Sequence, residues 1–333
     1  MIDVVGKRFW YFLFSALIIL PGIISMAIPS GWLSGDSGLT PGIDFSSGSV
    51  LSVTFNSPVT EDQIKERMDQ LGHEEALIQK VGREDFLIRT TLLEQGVDGA
   101  PSEREIIERD LEKFLTLDRS RVEFASVSPI IASETVTNAI YAVLAASVFI
   151  LLYVWYAFRR VPKSYRYGVS AILALVHDVV FVLGVFSILG KVLGIEVNSM
   201  FIVGVLIVAG YSVNDTIVVF DRIRENVIRH PDRPLESIVN LSIMDTIGRS
   251  LNTSFTTLFV LLAMLLIGGP SIRGLLLVVA IGVVVGTYSS VFIASQFLVI
   301  WDRGEVRKLL KFGRGASSTA VSGLLSLFGL LGR

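Results

Sequence analysis

Six long apolar stretches exclude a soluble fold for this chain. A helix needs about 20 consecutive apolar residues to cross the hydrocarbon layer, because its backbone finds no water to pair with there. Five stretches reach this length easily, and the sixth becomes uniformly apolar only after Arg249, Asn252 and Thr253. The predicted spans are residues 9–28, 139–158, 167–189, 199–220, 247–268 and 275–301. The sequence therefore predicts a polytopic α-helical membrane protein.

The composition supports this prediction and excludes several other classes. Of the 333 residues, 51% are hydrophobic and 18% are charged, whereas about a quarter of a soluble domain is charged. The 29 basic and 31 acidic residues nearly balance, which argues against a nucleic-acid partner. The absence of cysteine excludes disulfides, thiolate metal ligands and cysteine nucleophiles. We expect no cofactor.

Basic residues between the spans predict the orientation, because Lys and Arg favour the cytoplasmic side. They precede the first span, fill the connection between the second and third, and follow the last. The clusters are Lys7 and Arg8; Arg159, Arg160, Lys163 and Arg166; and Arg303, Arg307, Lys308, Lys311 and Arg314. An even number of spans places all three clusters on one side. Both termini are therefore expected on the cytoplasmic side of the membrane.

The end of the first span has the small-x-small spacing of a signal-peptidase site, at Ser25 and Ala27. The apolar run is long for a signal peptide, and cleavage would leave five spans with misaligned basic clusters. We therefore expect an uncleaved membrane anchor.

The charged residues outside the spans concentrate in residues 29–134, which the orientation places outside the cell. Alternating polar and apolar residues predict the first strand, and Thr60 is a candidate helix cap. The predicted elements are strand 50–56, helix 60–71, strands 76–81 and 85–91, helix 102–115 and strand 121–127. This order predicts an extracytoplasmic α+β domain of the ferredoxin-like type.

The predicted organisation has four parts. They are a first transmembrane helix (1–28), the extracytoplasmic domain (29–134), transmembrane helices two to six (135–301) and a cytoplasmic basic tail (302–333). The connection 221–246 is predicted as a cytoplasmic loop after a short helical extension that Pro231 and Pro234 end. The tail has apolar residues at helical spacing, which is typical of a helix on the membrane surface; its glycines make disorder the alternative.

Ionisable residues within the spans are candidates for function, because a charge there costs at least ~2.5–3.5 kcal/mol. Asp178 lies near the middle of the third span. Asp215 follows Asn214 in the inner half of the fourth, and Arg249 opens the fifth. These four residues are the candidate ion-coupling site. The alternative interpretations are an interfacial, snorkelling Arg249 and an Asn214 that only bonds neighbouring helices.

Two further patterns concern packing and metals. Gly282, Gly286 and Ser290 form a small-xxx-small face on the sixth helix, which predicts close approach of another helix. His177 precedes Asp178, but adjacent helical side chains point about 100° apart and no further ligands lie nearby in the sequence. We therefore expect no metal site.

Several motifs resemble the SecF family. Residues 212–226 are similar to its fourth-helix signature, residues 249–254 to its fifth-helix motif and residues 176–178 to its third-helix motif. Residues 42–45 resemble the start of the GIDF-x-GG element shared by SecD and SecF, with Ser47 in place of the first glycine of the pair. The resemblance covers most of the chain.

The resemblance implies one six-helix half of the RND superfamily type, with an outer domain after the first helix. It implies the partner SecD, association with the SecYEG translocon, a preprotein substrate and use of proton motive force within the lipid bilayer. By this similarity Asp215 and Arg249 would lie in the ion path. Ion sites of repeat-built transporters lie between halves, so one half alone is expected to hold an incomplete site.

Three other functions make different demands on the sequence. A small-molecule exporter of the RND type would favour a second six-helix half in the same chain and a larger outer domain. A scaffold that stabilises the translocon without transporting ions would make Asp215 and Arg249 structural. An enzyme is disfavoured, because the sequence has no HExxH, GxSxG or phosphate-binding loop.

Overall fold

The computed structural model describes residues 3–28, 38–96, 101–159, 161, 163–268 and 270–306. The predicted surface helix in the tail lies outside these described residues. The helices are α1 (Arg8–Ala27), α2 (Ile43–Ser46), α3 (Glu61–Gln70), α4 (Glu103–Leu115), α5 (Pro129–Ala157), α6 (Tyr165–Leu193), α7 (Ser199–Arg229), α8 (Leu235–Ile267), α9 (Pro270–Ser289) and α10 (Ser295–Asp302). The strands are β1 (Gly48–Thr54), β2 (Leu77–Lys80), β3 (Asp85–Thr90) and β4 (Glu123–Val127).

Six helices in the described part of the chain are long and apolar enough to cross a membrane, as predicted. They are α1, α5, α6, α7, α8 and the continuous run of α9, a π-helical turn (Ser290–Ala294) and α10. The membrane-protein class is therefore confirmed.

The predicted helical extension after residue 220 is confirmed, but the loop predicted for the rest of 221–246 is wrong for most of its length. Helix α7 continues to Arg229, and α8 begins at Leu235, directly after its N-cap Pro234. The first three turns of α8 bury a face spaced by three and four residues, formed by Ile238, Val239, Ser242, Ile243 and Thr246. This amphipathic pattern has too low a mean hydropathy to be recognised as part of a span, but it suffices for a helix that packs on one side.

The chain divides into two compact units. The bundle unit comprises Met1–Ser25, Ala145–Val185 and Gly204–Arg333, and the sheet unit comprises Met26–Leu144 and Phe186–Val203. The sheet unit therefore contains the last residues of α1, the segment between α1 and α5 and the first half of α5. It also contains the end of α6, the loop after it and the first turn of α7.

The sheet unit is built on four antiparallel strands in the order β2-β3-β1-β4. Its core lies between the sheet and helices α3 and α4. The largest fully buried side chains there are Leu51, Phe55, Ile64, Met68, Phe86, Ile88, Ile107 and Leu111. The predicted cap at Thr60 is confirmed, because Thr60 and Gln63 form a capping box at the start of α3. Such a cap stabilises a helix by about 0.5–2 kcal/mol.

Ser47 occupies an unusual backbone conformation at the end of α2. Its φ of 64° and ψ of 170° lie in a region that is essentially restricted to glycine and costs about 1–3 kcal/mol for other residues. The next residue, Gly48, also has a positive φ, and a Cβ there would lie 2.7 Å from the carbonyl oxygen of Thr90. The turn therefore requires glycine-like geometry at both positions, although this chain has serine at the first.

The bundle unit brings helices together at small residues and through ion pairs. A Cβ on Gly22 of α1 would lie 2.6 Å from the Cα of Gly184 on α6, so these two backbones touch. At the start of α1, the buried Arg8 pairs with Glu305 at 2.7 Å and with Glu236 at 3.3 Å. These contacts connect the first span to the start of α8 and to the segment after α10.

Candidate ion-coupling site

Asp178 on α6 is completely buried and has a partner on each carboxylate oxygen. Its Oδ2 accepts hydrogen bonds from the hydroxyls of Ser212 on α7, at 2.5 Å, and Ser289 at the end of α9, at 2.7 Å. Its Oδ1 lies 2.9 Å from Nδ1 of His177. Three helices therefore meet at this carboxylate.

His177 links the same cluster to the first helix. Its Nε2 is hydrogen-bonded to Ser15 on α1. The expectation that the adjacent side chains of His177 and Asp178 point apart is wrong, because the imidazole folds back onto the carboxylate. In the described part of the chain, no group of three or more His, Asp or Glu side chains is arranged to hold a metal ion.

Asp215 on α7 is also buried, with only 6% of its surface exposed, but it has fewer partners. Its Oδ1 accepts a hydrogen bond from the hydroxyl of Ser250 on α8, at 2.6 Å. Its Oδ2 is buried without a hydrogen-bond partner among the described residues. Such an oxygen is uncommon in folded proteins, because the free energy of removing it from water is not recovered.

Arg249 and Asn214 lie beside this carboxylate in the sequence, but both residues are exposed. Within the described residues, Arg249 has no carboxylate within 4.0 Å, so it does not pair with Asp215 in this structure. The reason is helical geometry: Ser250 faces α7, and the residue before it is rotated about 100° around the axis. Asn252, Thr253 and Thr256 of the same polar stripe are exposed as well.

The predicted site residues did not include the buried hydroxyl groups of α8, one of which, that of Ser250, contacts Asp215. On α8, Ser242, Thr246, Ser250 and Ser254 recur every four residues, and all four are buried. Ser254 is hydrogen-bonded to Thr287 on α9 at 2.5 Å and accepts from the Tyr211 hydroxyl at 3.3 Å. The available signal was the spacing of these small hydroxyl residues, every four residues along α8.

The small-residue face of α9 lies against α7 of the same chain. A Cβ on Gly286 would lie 3.0 Å from the Cβ of Ser212, and Gly282 lies against Val208. The hydroxyls of Ser290 and Thr216 are 2.8 Å apart. This close approach brings the hydroxyls of α7 and α9 to Asp178 together.

The π-helical turn that begins at Ser290 explains how two consecutive serines both face inward. Ser289 reaches Asp178, while Ser290 reaches Thr216 and the carbonyl oxygen of Ser212. Single π-helical turns inside α-helices occur frequently at functional sites. The turn therefore belongs to the candidate site.

The fold and the site define a polytopic helical membrane protein with ionisable groups buried in its bundle, a class in which such groups commonly line ion paths. Residues 106–304 match the family described as "Protein export membrane protein SecD/SecF, C-terminal". The chain is 39% identical to the protein translocase subunit SecF of Thermobaculum terrenum, over 93% of this chain and 97% of that protein. It is 36% identical to SecF of Anaerolinea thermophila, over 96% of this chain and 100% of that protein.

Solved structures give the same result. The crystal structure of SecDF from Thermus thermophilus, described as a translocon-associated membrane protein, matches with a TM-score of 0.77 and 32% identity over 91% of this chain. SecDF in a super-membrane-facing form matches with a TM-score of 0.59, 29% identity and 93% coverage. This chain spans 39% and 40% of those two chains. It belongs to the SecF family of protein translocase subunits, which are multi-pass bacterial membrane proteins that function in transport.

Proposed function

We propose that this chain pairs with SecD and uses proton motive force to help move preproteins through the SecYEG translocon. The similarity to SecDF supports the pairing, because this chain matches less than half of the SecDF chain. The observation that carries the proposal is the Oδ2 of Asp215, a buried carboxylate oxygen that has no hydrogen-bond donor among the described residues. Asp215 is therefore proposed as the proton-accepting group.

Arg249 is proposed to set the protonation state of Asp215. Burial disfavours the charged form of a carboxylic acid, whereas a guanidinium within about 4–6 Å favours it. Here Ser250, the neighbour of Arg249, occupies Asp215 Oδ1. A rotation of α8 that exchanged Ser250 for Arg249 would release the proton, and the reverse rotation would favour its uptake. Conformation and protonation are then thermodynamically linked.

The exposure of Asn214 and Arg249 also supports a second half as partner. Polar side chains within spans rarely face lipid, because their transfer into hydrocarbon is unfavourable. Both residues lie on helices that carry or contact Asp215, and ion sites of repeat-built transporters lie between halves. We infer that the helices of SecD cover this exposed polar surface and complete the site.

The available free energy is sufficient for such a device. One proton crossing a potential of 100 mV releases about 2.3 kcal/mol. That amount shifts a two-state equilibrium about fiftyfold. A single titrating carboxylate is therefore enough to bias one conformational step in each cycle.

The test is preprotein translocation into membrane vesicles that contain SecD, with and without an imposed proton gradient. Asp215→Asn keeps the side-chain shape and an acceptor for Ser250 but removes the titration, so we expect loss of the gradient response with intact SecD assembly. Arg249→Met is expected to have the same effect. The control is Asp302→Asn, which removes only the partly exposed ion pair of Asp302 with Arg166. Such pairs contribute about 0–1 kcal/mol.

Two outcomes would contradict the proposal. A wild-type gradient response in Asp215→Asn would exclude Asp215 as the coupling group. The scaffold alternative predicts that wild-type and variant proteins respond equally to the gradient, and that only variants defective in SecD assembly lose translocation.

We further propose that the sheet unit carries a ferredoxin-like domain on the outer side of the membrane, with both termini in the cytoplasm. The order of its strands and helices supports the fold, and the basic clusters support the orientation. The chain has no native cysteine, so single substitutions can be labelled without background. In intact cells, a membrane-impermeant maleimide should label Arg83→Cys, between β2 and β3, and leave Asp232→Cys, between α7 and α8, unlabelled. The reverse pattern would contradict the orientation.

A further inference from the structure

The loop between α6 and α7 is held by the segment that resembles the GIDF element. The two form a parallel β-bridge between Pro41 and Val197. Gly42 N donates to Val197 O at 2.7 Å, and Val197 N donates to Thr40 O at 2.8 Å. A Cβ on Gly42 would lie 3.1 Å from Glu196 Oε2 and 3.2 Å from the carbonyl oxygen of Val197, so the two segments pack closely here.

Asp44 of the same segment reaches the first residue of α7. Its Oδ2 accepts a hydrogen bond of 2.8 Å from the backbone N–H of Ser199. Asn198 Oδ1 accepts from Phe201 N at 3.1 Å, so two side chains cap this helix. The first N–H groups of a helix have no partner within it, and a carboxylate there also interacts favourably with the helix dipole. Asp44 thus supplies a hydrogen-bond acceptor for an N–H group in the first turn of α7 that has no partner within the helix.

Two strands of the sheet hold the same loop from another direction. Arg89 on β3 forms an ion pair with Glu196. The Gln79 side-chain amide on β2 donates to the carbonyl oxygen of Gly194 at 3.2 Å. Both partners lie in the loop that Pro41 contacts, and Asp44 contacts the residue that directly follows this loop. We call these four contacts the loop clamp: Pro41–Val197, Asp44–Ser199, Arg89–Glu196 and Gln79–Gly194.

The loop clamp lies at the start of the helix that carries the candidate coupling residue. Helix α7 is continuous from Ser199 to Arg229. Asp215 follows Ser199 by about 24 Å along the axis, at 1.5 Å per residue. An uninterrupted helix transmits a displacement or rotation of its first turn along its length, because its backbone hydrogen bonds resist local bending. If the sheet formed by β1–β4 moves and the loop clamp passes this movement to the first turn of α7, the part of α7 that bears Asp215 moves as well.

We propose that Asp44 is a positioning residue that joins the sheet formed by β1–β4 to α7. A change in the protonation of Asp215 and a movement of this sheet then occur together. This inference rests on the proposed role of Asp215. It assigns to the acidic residue of the GIDF-like element a mechanical role in coupling, through the Ser199 N–H. The loop clamp remains closed throughout the cycle.

Two measurements on the full-length protein with SecD test this proposal. The first is amide hydrogen exchange of the peptide containing Ser199. Loss of the hydrogen bond to a charged group in Asp44→Ala should accelerate exchange there by at least about tenfold. The second is the ratio of translocation with a proton gradient to translocation without it, which a change in the amount of folded protein does not alter. This ratio should fall to about one in Asp44→Ala.

Asp44→Asn is the conservative variant, and Asp62→Ala is the control for loss of a carboxylate elsewhere in the sheet unit. Asp44→Asn retains an oxygen that accepts from Ser199 N and should keep an intermediate ratio. Asp62→Ala removes an exposed carboxylate from α3 and should leave both measurements at wild-type values. If amide hydrogen exchange of the peptide containing Ser199 is unchanged in Asp44→Ala, the side chain of Asp44 does not hold α7 and the proposal is wrong. Faster exchange with an unchanged ratio would overturn the coupling role, provided that Asp215→Asn loses its response.

An engineered disulfide across the loop clamp gives a second test, which applies even if Asp44→Ala folds poorly. The parallel bridge places Pro41 and Val197 about 4.7–4.9 Å apart, which suits a disulfide. In Asp44→Ala, an oxidised Pro41→Cys/Val197→Cys pair should restore the gradient ratio, and dithiothreitol should remove it again. With Asp44 intact, loss of the ratio on oxidation would show that the clamp must open and would overturn the proposal. A wild-type ratio in Asp215→Asn would instead overturn the proposed function itself.

Discussion

Asp178 and Asp215 are buried carboxylates in the same helical bundle, yet they differ in their hydrogen-bond partners. Asp178 has two serine hydroxyls on one oxygen and an imidazole nitrogen on the other. Asp215 has one serine hydroxyl, and its second oxygen has no partner among the described residues. A carboxylate with partners on both oxygens is held in place by its neighbours. One with a free oxygen retains a position for a proton, so the two residues are suited to different tasks.

Glu75, outside the membrane-spanning helices, shows what hydroxyl donors do to a carboxylate near water. The Thr90 hydroxyl donates to it at 2.6 Å and the Thr91 hydroxyl at 3.1 Å. The bond from Thr90 contributes most, and together with backbone N–H donors and the Thr91 hydroxyl it lowers the pKa of Glu75 to about 2. Donors therefore favour the charged form. Asp178 accepts hydroxyl hydrogen bonds from both α7 and α9, and this geometry supports a positioning role in joining α6, α7 and α9, while its participation in the ion path stays a prediction.

The largest expected effect is a difference in unfolding free energy between alanine variants of the two aspartates. Asp178→Ala leaves Ser212, Ser289 and His177 without their shared acceptor inside the bundle. Each buried polar group left unpaired costs about 1–3 kcal/mol, so we expect a loss of about 3–5 kcal/mol in unfolding free energy. Asp215→Ala removes one hydrogen bond and should cost about 1–2 kcal/mol. Thermal unfolding in detergent, followed by tryptophan fluorescence, measures both variants.

Equal destabilisation by the two alanine variants would contradict this comparison, because the numbers of hydrogen-bond partners would then not distinguish the sites. The gradient assay supplies the complementary result. Asp215→Ala should lose its response while it remains folded at the assay temperature.

A smaller effect is expected from a change that leaves both carboxylates in place. Gly286→Leu inserts a side chain where a Cβ already lies 3.0 Å from Ser212, so α7 and α9 must separate. Overpacking of this kind costs about 1–3 kcal/mol. It should disturb Asp178, whose donors come from these two helices, more than Asp215, whose donor is on α8. The matched control is Gly210→Leu, because a Cβ at Gly210 meets no atom within 4 Å.

Unfolding midpoints and the gradient response of Gly286→Leu and Gly210→Leu test this order. Equal midpoints would show that the small-residue face is not a tight contact. Gly210 also lies on the exposed side of α7, so its leucine variant reports separately on SecD assembly: loss of SecD with a normal midpoint would place the partner on that surface.

Much of this architecture follows from the sequence by itself. The length of the apolar runs predicts six spans, because a single run of about 20 apolar residues satisfies its own backbone in lipid only as a helix. The cap at Thr60 and the end of α7 before Pro231 are local effects of residue type, and both are observed. The importance of Asp178 and Asp215 could be predicted, since a charged residue within a span is unfavourable unless it is satisfied or functional.

Only the tertiary structure decided which groups meet. Arg249 and Ser250 are adjacent in the sequence, and from the sequence alone either could contact Asp215. The rotation of α8 about its axis places Ser250 against Asp215. It places Asp44 in a short segment that is 155 residues from Ser199, yet the loop clamp brings the two together at 2.8 Å. Helical periodicity defines the faces of each helix, but the rotation of one helix against another depends on packing of small residues such as Gly286 with Ser212. That packing is a long-range property, and no local pattern contains it.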